Sequence, residues 1–215
     1  MTNSEKIYTS LCTLFTMLIV VGNLTYQKFV QLPLGSLYTF ELSVGAILYP
    51  LTFLITDLIA EFYGKDRARF CVRFAITTNI LVALIIHGMD ILHATAWSKI
   101  SDRIFHEVFG LYSIAFIGSI IACYVSQRLD IILYLRIRRM VKGKYLGLCN
   151  VCSSSLSLLM DTGIVIIFMT IFGILPVERM GALIGNSYAF KLFFTVCSGP
   201  LFYACCRGIK ATQRS

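Results

Sequence analysis

The chain has 215 residues, of which 57% are hydrophobic and only 14% are charged, and its mean hydropathy is +0.78. A soluble domain carries about 25% charged residues, so this composition excludes a soluble protein and predicts an integral membrane protein. The net charge of +8 is not accompanied by a nucleic-acid recognition module. Basic runs such as Arg136 to Arg139 border apolar stretches, where they set topology and meet anionic headgroups. We therefore expect membrane lipid, and no nucleic acid, as a partner.

Short charged interruptions divide the apolar sequence into runs of roughly 18 to 25 residues, the length with which an α-helix crosses the bilayer. Strands of a membrane β-barrel would be shorter and would alternate. The sequence predicts an all-α, polytopic membrane helix bundle that forms one transmembrane domain over residues 1–215. In chain order, the six predicted spans are about Ile7 to Tyr26, Leu37 to Phe62, Phe70 to Leu92, Phe109 to Leu133, Tyr145 to Leu175, and Ala182 to Arg207.

Basic residues predict the orientation of this bundle. Most of the 19 Lys and Arg residues fall on one side, in the N-terminus, after the second and fourth spans, and in the C-terminus. The positive-inside rule then places both termini in the cytoplasm, which requires an even number of spans. No small-residue cleavage site follows the first apolar run, so we expect the first helix to be retained and not removed as a signal peptide.

Two carboxylates, Asp57 and Glu61, lie one helical turn apart near the end of the second predicted span. A charged side chain near the bilayer centre costs from ~3 to more than ~10 kcal/mol. We therefore expect both residues to face protein or water. Glu61 is nearer the helix end, so the alternative for it is an ion pair with Arg67 in the following loop. The arginines of that loop are also explained by their role in membrane topology alone.

The third span ends with His87, Asp90 and His93, which steps of three keep within about 120° on a helix. A transition-metal site usually needs more ligands that converge more closely. We therefore expect ordinary interfacial polar residues here, with Trp97 as an interfacial anchor. Metal or redox use of Cys149 and Cys152 is likewise not expected, because one CxxC without a second ligand pair is a weak signal.

Polar residues in the last three spans fall on single helical faces. Asn150, Ser154, Ser157 and Asp161 are spaced by 4, 3 and 4 residues in the fifth span, and such a stripe is tolerated in lipid only where neighbours or water satisfy it. Interhelical hydrogen bonding and cavity lining both explain its serines.

Lys191 is the one basic residue deep in the sixth span. Snorkelling to the interface and pairing with Asp161 or a second-span acid are the two hypotheses for it. In the fourth span Gln127 and Asp130 share a face, and Asp130 is either a site residue or a partner of Arg128 or Arg136 at the boundary.

With these residues in view, the chain resembles the queuosine precursor transporter family, formerly described as a vitamin uptake family. The resemblance runs nearly from end to end. The motifs that carry it are Gly22-Asn23-Leu24 through Lys28, Tyr49 to Phe53, Thr56-Asp57, Glu61 to Gly64 with Arg67 and Arg69, Ser126 to Asp130, Asn150 to Ser153, Asp161-Thr162, and Tyr188, Lys191, Pro200 and Tyr203.

The resemblance implies a six-helix, multi-pass protein of the bacterial inner (cytoplasmic) membrane that imports 7-deazaguanine precursors of the tRNA base queuosine, such as 7-cyano-7-deazaguanine. It implies no enzyme activity, no catalytic residue, no cofactor and no metal. Which precursor is preferred stays open.

The chemistry of the polar residues suits such a ligand. A 7-deazaguanine ring presents an N1 hydrogen and an exocyclic amine side by side, which one carboxylate can accept together, and a carbonyl that needs a donor. Aromatic residues beside the acids could stack on the flat ring, although packing also explains them. We expect one shared polar cavity in the cytoplasmic half of the bundle. The candidate substrate-binding residues are Asp57, Glu61, Asn150, Ser154, Asp161, Lys191, Gln127, Tyr188, Asn23 and Phe53.

Energy coupling stays open at this point. No Gly-rich loop of the Walker type is present, so the chain does not hydrolyse ATP itself. Facilitated diffusion, proton coupling through Asp57, Glu61 or Asp161, and a role as the substrate-binding subunit of an ATP-driven vitamin uptake complex are the alternatives. A second copy of the chain or an energising protein would then be a partner.

Two other function classes are less favoured. A membrane-embedded, metal-dependent enzyme would have to use His87, Asp90 and His93, which lie in the opposite membrane half from the acids. A purely structural protein would have to explain three intramembrane carboxylates and a lysine as an ion-pair network.

Overall fold

The computed structural model describes residues 2–35, 38–110 and 112–214. These residues form a bundle of long helices with one small β-hairpin. In chain order the elements are α1 (Asn3–Thr25), β1 (Phe29–Leu34), β2 (Tyr38–Ser43), α2 (Val44–Ile47), α3 (Tyr49–Asp90), α4 (Asp102–Phe105), a π-helical turn (His106–Gly110), α5 (Tyr112–Met140), α6 (Leu146–Ile171) and α7 (Val177–Arg214).

The first helix begins at a capping box. The Glu5 amide donates to Thr2 Oγ1 at 3.2 Å, and the Thr2 amide donates to Glu5 Oε2 at 2.8 Å. This reciprocal pair satisfies amide groups that lack a partner at a helix start. Phe15 and Ile19 then face the core, so the first predicted span is confirmed as a helix.

The hairpin corrects the predicted start of the second span. Residues from Tyr38 to Ser43 form β2 and pair antiparallel with β1, with Phe29 opposite Ser43 and Leu34 opposite Tyr38. The predicted start at Leu37 lies outside the described residues. Phe40 and Leu42 are buried whereas Thr39 is exposed. An apolar run thus continues through the strand, but its alternation with a period of two distinguishes it from a helix.

The second span is built from α2 and the first arm of α3, and it ends at Gly64. At 1.5 Å per residue, the stretch from Val44 to Tyr63 is about 30 Å long. Gly64 has φ 83° and ψ 172°, a conformation that glycine adopts without the steric cost of a Cβ. The helix is interrupted there, and its second arm (residues 65–90) is long enough to form the third crossing.

Five helical stretches are long and apolar enough to cross a membrane when α2 and α3 count as one. Gly64 divides the 47-residue stretch Val44–Asp90 into two arms that are each long enough to cross once, so the bundle accommodates the six predicted crossings. The other boundaries differ modestly, and the sixth crossing belongs to a longer helix that begins at Val177 and not at Ala182. Large apolar side chains such as Phe70, Leu81 and Leu84 are exposed on the outside, as expected for a surface that faces lipid.

The contacts between helix ends define two sides of the bundle. On the termini side, Tyr63 donates to the Ser4 carbonyl oxygen and Tyr8 to the Arg67 carbonyl oxygen. On the hairpin side, Arg179 at the start of α7 forms an ion pair with Glu41 of the hairpin at 3.1 Å.

Close contact between α1 and α2 depends on two glycines. A Cβ atom on Gly45 would lie 2.2 Å from the Gly22 carbonyl oxygen, whereas a Cβ on Gly22 would lie 3.3 Å from the Gly45 oxygen. The absence of a side chain at Gly45 therefore allows the two backbones to touch. This contact positions Asn23 of α1 beside the start of α3.

Candidate functional site

The part of the site nearer the hairpin side, called the outer part, contains a buried ion pair. Lys191 Nζ lies 2.9 Å from Asp161 Oδ2, and the two residues are 5% and 2% exposed. Lys191 also donates to Thr162 Oγ1 at 3.0 Å and lies 4.8 Å from the centre of the Tyr49 ring. The pairing of Lys191 with Asp161, one of the two hypotheses for this lysine, is confirmed, since the ammonium group is buried and does not reach the interface.

Both oxygens of the Asp161 carboxylate have donors. Tyr49 OH donates to Asp161 Oδ1 at 2.7 Å, and Ser126 Oγ approaches the same oxygen at 3.3 Å. The ring of Phe53, which is fully buried, meets the Tyr49 ring edge to face at a centroid distance of 5.7 Å. Phe53 therefore packs against the Tyr49 ring.

The pair lies in the wall of a cavity of about 100 Å³, which is room for several waters or one small ligand. Helices α1, α2, α3, α5, α6 and α7 all contribute to it. Its apolar walls include Ile19, Val165 and Ile166. Its polar side chains include those of Asn23, Tyr49, Ser119, Asp161, Thr162, Ser187 and Lys191, with Tyr26 and Ser43 near the hairpin. Within the wall, Ser119 Oγ donates to Asn23 Oδ1.

Asp57 belongs to a second, inner cluster nearer the termini side. Its carboxylate is fully buried and accepts from Asn150 Nδ2 at 2.7 Å and from Ser153 Oγ at 3.3 Å. Asp130 of α5 is also fully buried and lies beside Asp57. Of the two alternatives for Asp130, a boundary ion pair is wrong, because Arg128 instead donates to Tyr124 OH at 2.8 Å.

Gln127 and two threonines connect the two parts. Gln127 Nε2 donates to Thr52 Oγ1 at 3.0 Å, and Thr56 Oγ1 lies 2.9 Å from Gln127 Oε1. Thr52 in turn donates to the carbonyl oxygen of Tyr49 at 2.6 Å. A continuous series of polar contacts thus runs from the cavity wall to the residue before Asp57.

Glu61 forms an ion pair with Arg138 of α5, and not with Arg67 of the loop, which was the alternative considered for it. Arg138 Nη2 of α5 donates to Glu61 Oε1 at 2.9 Å, and Tyr134 OH donates to Oε2 at 3.1 Å. Arg67 instead places its guanidinium 5.2 Å from the centre of the Tyr8 ring. The alternative of an ion pair between Glu61 and Arg67 is therefore wrong, because the fold brings α5 and not that loop against the carboxylate.

The prediction of one shared polar cavity is also wrong. Asp161, Lys191 and Asn23 line the cavity, whereas Asp57, Glu61, Asn150, Ser154, Gln127 and Phe53 do not. The half-buried Tyr188 does not line it either. Helical spacing identifies which face a residue occupies but not how deep it lies relative to residues on another helix. Ser119, Thr162 and Arg138 were not predicted as site residues. Each of them contacts a residue on another helix, and the sequence pattern of a single helix does not reveal such a contact.

The histidine cluster does not form a metal site. Asp90 Oδ2 lies 2.7 Å from His106 Nδ1, and His93 lies 3.4 Å from Asp102. Among the described residues, His, Cys, Asp and Glu side chains form no group of three or more that could hold a metal ion. Cys149 is buried whereas Cys152 is exposed, and both are free thiols.

Comparisons with known proteins agree with this architecture. A family model described as "Putative vitamin uptake transporter" matches residues 43–205. A protein of Bacillus subtilis (strain 168) named "Probable queuosine precursor transporter" is 29% identical over 197 residues, which span 91% of this chain and 83% of the relative. No solved structure matches the chain. Since the family model covers most of the chain and the helices form a membrane-spanning bundle, this protein belongs to the vitamin uptake transporter family that includes queuosine precursor transporters, and it is a multi-pass membrane transporter.

Proposed function

We propose that this transporter imports a queuosine precursor of the 7-deazaguanine class across the inner membrane of a bacterium. The observation that carries the proposal is the buried Asp161–Lys191 pair in the wall of a cavity between the helices. A charge pair in a membrane bundle is costly, and a ligand with complementary donors and acceptors explains the position of this pair in the cavity wall. The name of the Bacillus subtilis relative supports the substrate class.

The outer part of the site recognises the ligand directly in this proposal. Asp161 accepts the N1 hydrogen and exocyclic amine of the ring, and Lys191 donates to its carbonyl oxygen. The Tyr49 ring flanks the flat heterocycle. The side-chain oxygen of Asn23 accepts a hydrogen bond from Ser119, and its amide NH2 group donates to the edge of the ligand.

The inner residues do not contact the ligand in this proposal, and they act through the residues that do. Gln127 supports Tyr49 through Thr52, and Asn150 with Ser154 surrounds the carboxyl groups of Asp57 and Asp130. Glu61 and Arg138 close the bundle on the termini side. Phe53 holds the Tyr49 ring, and Tyr188 on α7 contributes packing near Lys191.

We also propose that the termini side faces the cytoplasm. Arg67, Arg73 and Arg138 lie on that side, together with the basic residues after α5. The positive-inside rule favours this orientation. Substrate then enters from the hairpin side, where Tyr26, Phe29 and Ser43 border the cavity.

Recovery of queuosine in tRNA tests the proposal. Cells that cannot make the precursor, and that lack other transporters for it, are supplied with 7-cyano-7-deazaguanine and with this gene. We expect queuosine to reappear in tRNA with the wild-type protein and with Asp66→Asn, which changes an exposed carboxylate. We expect none with Asp161→Asn. Absence of queuosine despite wild-type protein in the membrane would contradict the proposal.

Direct binding identifies the preferred ligand. Purified protein is titrated with 7-cyano-7-deazaguanine, its aminomethyl analogue, queuine and guanine. Uptake into liposomes that contain only this protein then separates autonomous transport from dependence on an ATP-driven partner. A protein that binds the ligand but transports it only with an added ATPase would be a substrate-binding subunit.

A further inference from the structure

The inner cluster contains a carboxyl pair that substrate recognition does not use. Asp57 on α3 and Asp130 on α5 are both fully buried, and their carboxyl groups lie within hydrogen-bonding reach of each other. Asp57 Oδ2 has two donors, Asn150 and Ser153. By contrast, Asp57 Oδ1 and both oxygens of Asp130 are buried and make no hydrogen bond of normal geometry among the described residues, although Asp130 lies beside the hydroxyls of Ser153, Ser154 and Ser157.

Among the residues that the structure describes, no cationic side chain contacts the pair. The described side chains that contact it are neutral, namely those of Asn150, Ser153, Ser154 and Ser157. Arg138 is held by Glu61, and Lys191 is held by Asp161. Of the other titratable groups, Tyr134 on α5 lies near Asp57 and Glu61, Cys206 on α7 lies near Tyr134, and Cys149 on α6 lies near Glu61 and Arg138.

Two buried carboxylates in contact cannot both stay ionised, because desolvation and mutual repulsion act in the same direction. One proton removes the repulsion and turns one carboxyl into a donor for the other. Resting on the proposed function, we propose that Asp57 and Asp130 share one proton and form the site that couples substrate import to proton entry.

A second observation points to a bound proton. Ser154 Oγ is fully buried beside Asp130 and has no hydrogen-bond partner of normal geometry among the described residues, and the same holds for Asn150 Oδ1. Unpartnered buried polar atoms are rare in native proteins and call for an explanation. A hydroxyl can donate to an ionised carboxyl or accept from a protonated one, so Ser154 can serve the pair in either state.

The pair is connected to the substrate cavity. Thr56 precedes Asp57 on α3 and contacts Gln127 of α5, and Ser126, which precedes Gln127, contacts Asp161. A ligand that displaces Tyr49 or Ser126 from Asp161 thus shifts α3 relative to α5 at the level of the pair. The proton enters from the hairpin side with the substrate and leaves on the termini side when the pair opens.

Uptake by proteoliposomes tests the coupling. The purified protein is reconstituted, the membrane potential is clamped with valinomycin and potassium, and the pH difference alone is varied. For one neutral substrate with one proton, each pH unit supports about tenfold accumulation at equilibrium. We expect wild-type protein and Asp66→Asn to accumulate 7-cyano-7-deazaguanine in response to an acidic exterior. We expect Asp130→Asn, which is isosteric with a protonated carboxyl, to lose this accumulation but to retain exchange of labelled for unlabelled substrate.

A second measurement does not depend on the substrate. Infrared spectroscopy of the purified protein at neutral pH detects the carbonyl stretch of a protonated carboxylic acid, which shifts in deuterium oxide. We expect this band in the wild type and in Asp66→Asn, and its loss in Asp57→Asn and in Asp130→Asn.

The outcomes separate the two proposals. Exchange of 7-cyano-7-deazaguanine without any response to the pH difference overturns proton coupling but supports the proposed substrate. Accumulation that follows a sodium gradient instead has the same two consequences. Accumulation by Asp130→Asn equal to that of the wild type overturns the assignment to this pair. No binding of any 7-deazaguanine contradicts the proposed function, and in that case the infrared band still decides whether the pair holds a proton: its absence overturns the shared proton.

Discussion

Tyr49 and Lys191 approach the same carboxylate from two sides, with Tyr49 OH 2.7 Å from Asp161 Oδ1 and Lys191 Nζ 2.9 Å from Asp161 Oδ2. Each oxygen of Asp161 therefore accepts a hydrogen bond from a protein side chain. A ring that presents two donors must displace one of these partners. Tyr49 is the one that can leave at lower cost, because its hydroxyl is neutral and Lys191 carries a charge.

The first prediction concerns Tyr49. Tyr49→Phe removes the hydroxyl but keeps the ring, so the ligand no longer has to displace a hydrogen bond. We expect ligand affinity within about threefold of the wild type, and a lower stability of the free protein by about 1 to 3 kcal/mol, because a buried carboxylate loses a donor. Titration calorimetry and thermal unfolding in detergent measure the two effects.

Tyr49→Leu is the matched variant, because it removes both the hydroxyl and the ring. We expect it to weaken binding by tenfold or more, since the flat ligand loses its aromatic neighbour. Equal affinities for the Phe and Leu variants would show that the Tyr49 ring does not contact the ligand.

The second prediction concerns the charge pair. Lys191→Met leaves the Asp161 carboxylate buried without its cation, and Asp161→Asn leaves the ammonium without its anion. Breaking a buried pair from one side costs about 3 to 5 kcal/mol. We expect each single variant to lower the unfolding temperature strongly and to abolish uptake.

The double variant Asp161→Asn with Lys191→Met separates stability from function. It removes both charges together, so we expect it to be less destabilised than the sum of the single variants. Uptake should stay absent, because neither the acceptor nor the donor for the ligand remains. Uptake by a well-folded double variant would show that the pair has only a structural role.

The third prediction concerns the contact between α1 and α2. Gly45→Ala places a Cβ 2.2 Å from a backbone oxygen of Gly22, and backbone cannot move aside as a flexible side chain can. We expect a loss of about 1 to 3 kcal/mol and impaired uptake, because α1 carries Asn23 into the cavity wall. Thermal unfolding and uptake are the measurements.

Two other glycines provide controls for this variant. Gly22→Ala meets the Gly45 oxygen at 3.3 Å, and we expect a smaller effect. Gly88→Ala meets nothing within 4 Å and lies in the helical second arm of α3, so we expect equal or greater stability, by up to about 1 kcal/mol. A Gly45→Ala protein as stable as the Gly88→Ala protein would contradict the proposed close approach.

The fourth prediction concerns closure on the termini side. Glu61→Gln removes the charge that holds Arg138, while Tyr134 can still donate to the amide oxygen. Cys149 is buried near this ion pair. We expect its labelling by a membrane-impermeant maleimide, followed by mass spectrometry of its peptide, to accelerate several-fold in Glu61→Gln.

The same substitution type at an exposed site is the control. Asp66→Asn removes a carboxylate on the same side without breaking a described ion pair, so Cys149 labelling should match the wild type. If Glu61→Gln leaves labelling unchanged, the Glu61–Arg138 pair does not restrict access from that side.

Prediction of the helical bundle from sequence succeeded because lipid allows few alternatives. A backbone in hydrocarbon must satisfy its own hydrogen bonds, so apolar runs of the right length become helices. The hairpin was missed because β2 continues the apolar run into the second span. Its alternating burial, with Phe40 and Leu42 inside, was the signal that distinguished it.

The sequence by itself determined the number of crossings, the polar face of α6 and the presence of buried charges that need partners. Hydropathy and the helical repeat are local properties, and they can be read along one chain. Only the tertiary structure decided that Glu61 pairs with Arg138, that Tyr49 donates to Asp161, and that Asp57 lies beside Asp130 outside the substrate cavity. These contacts depend on the relative depth and rotation of different helices, which are set by packing such as the approach of Gly22 and Gly45, and no local pattern encodes them.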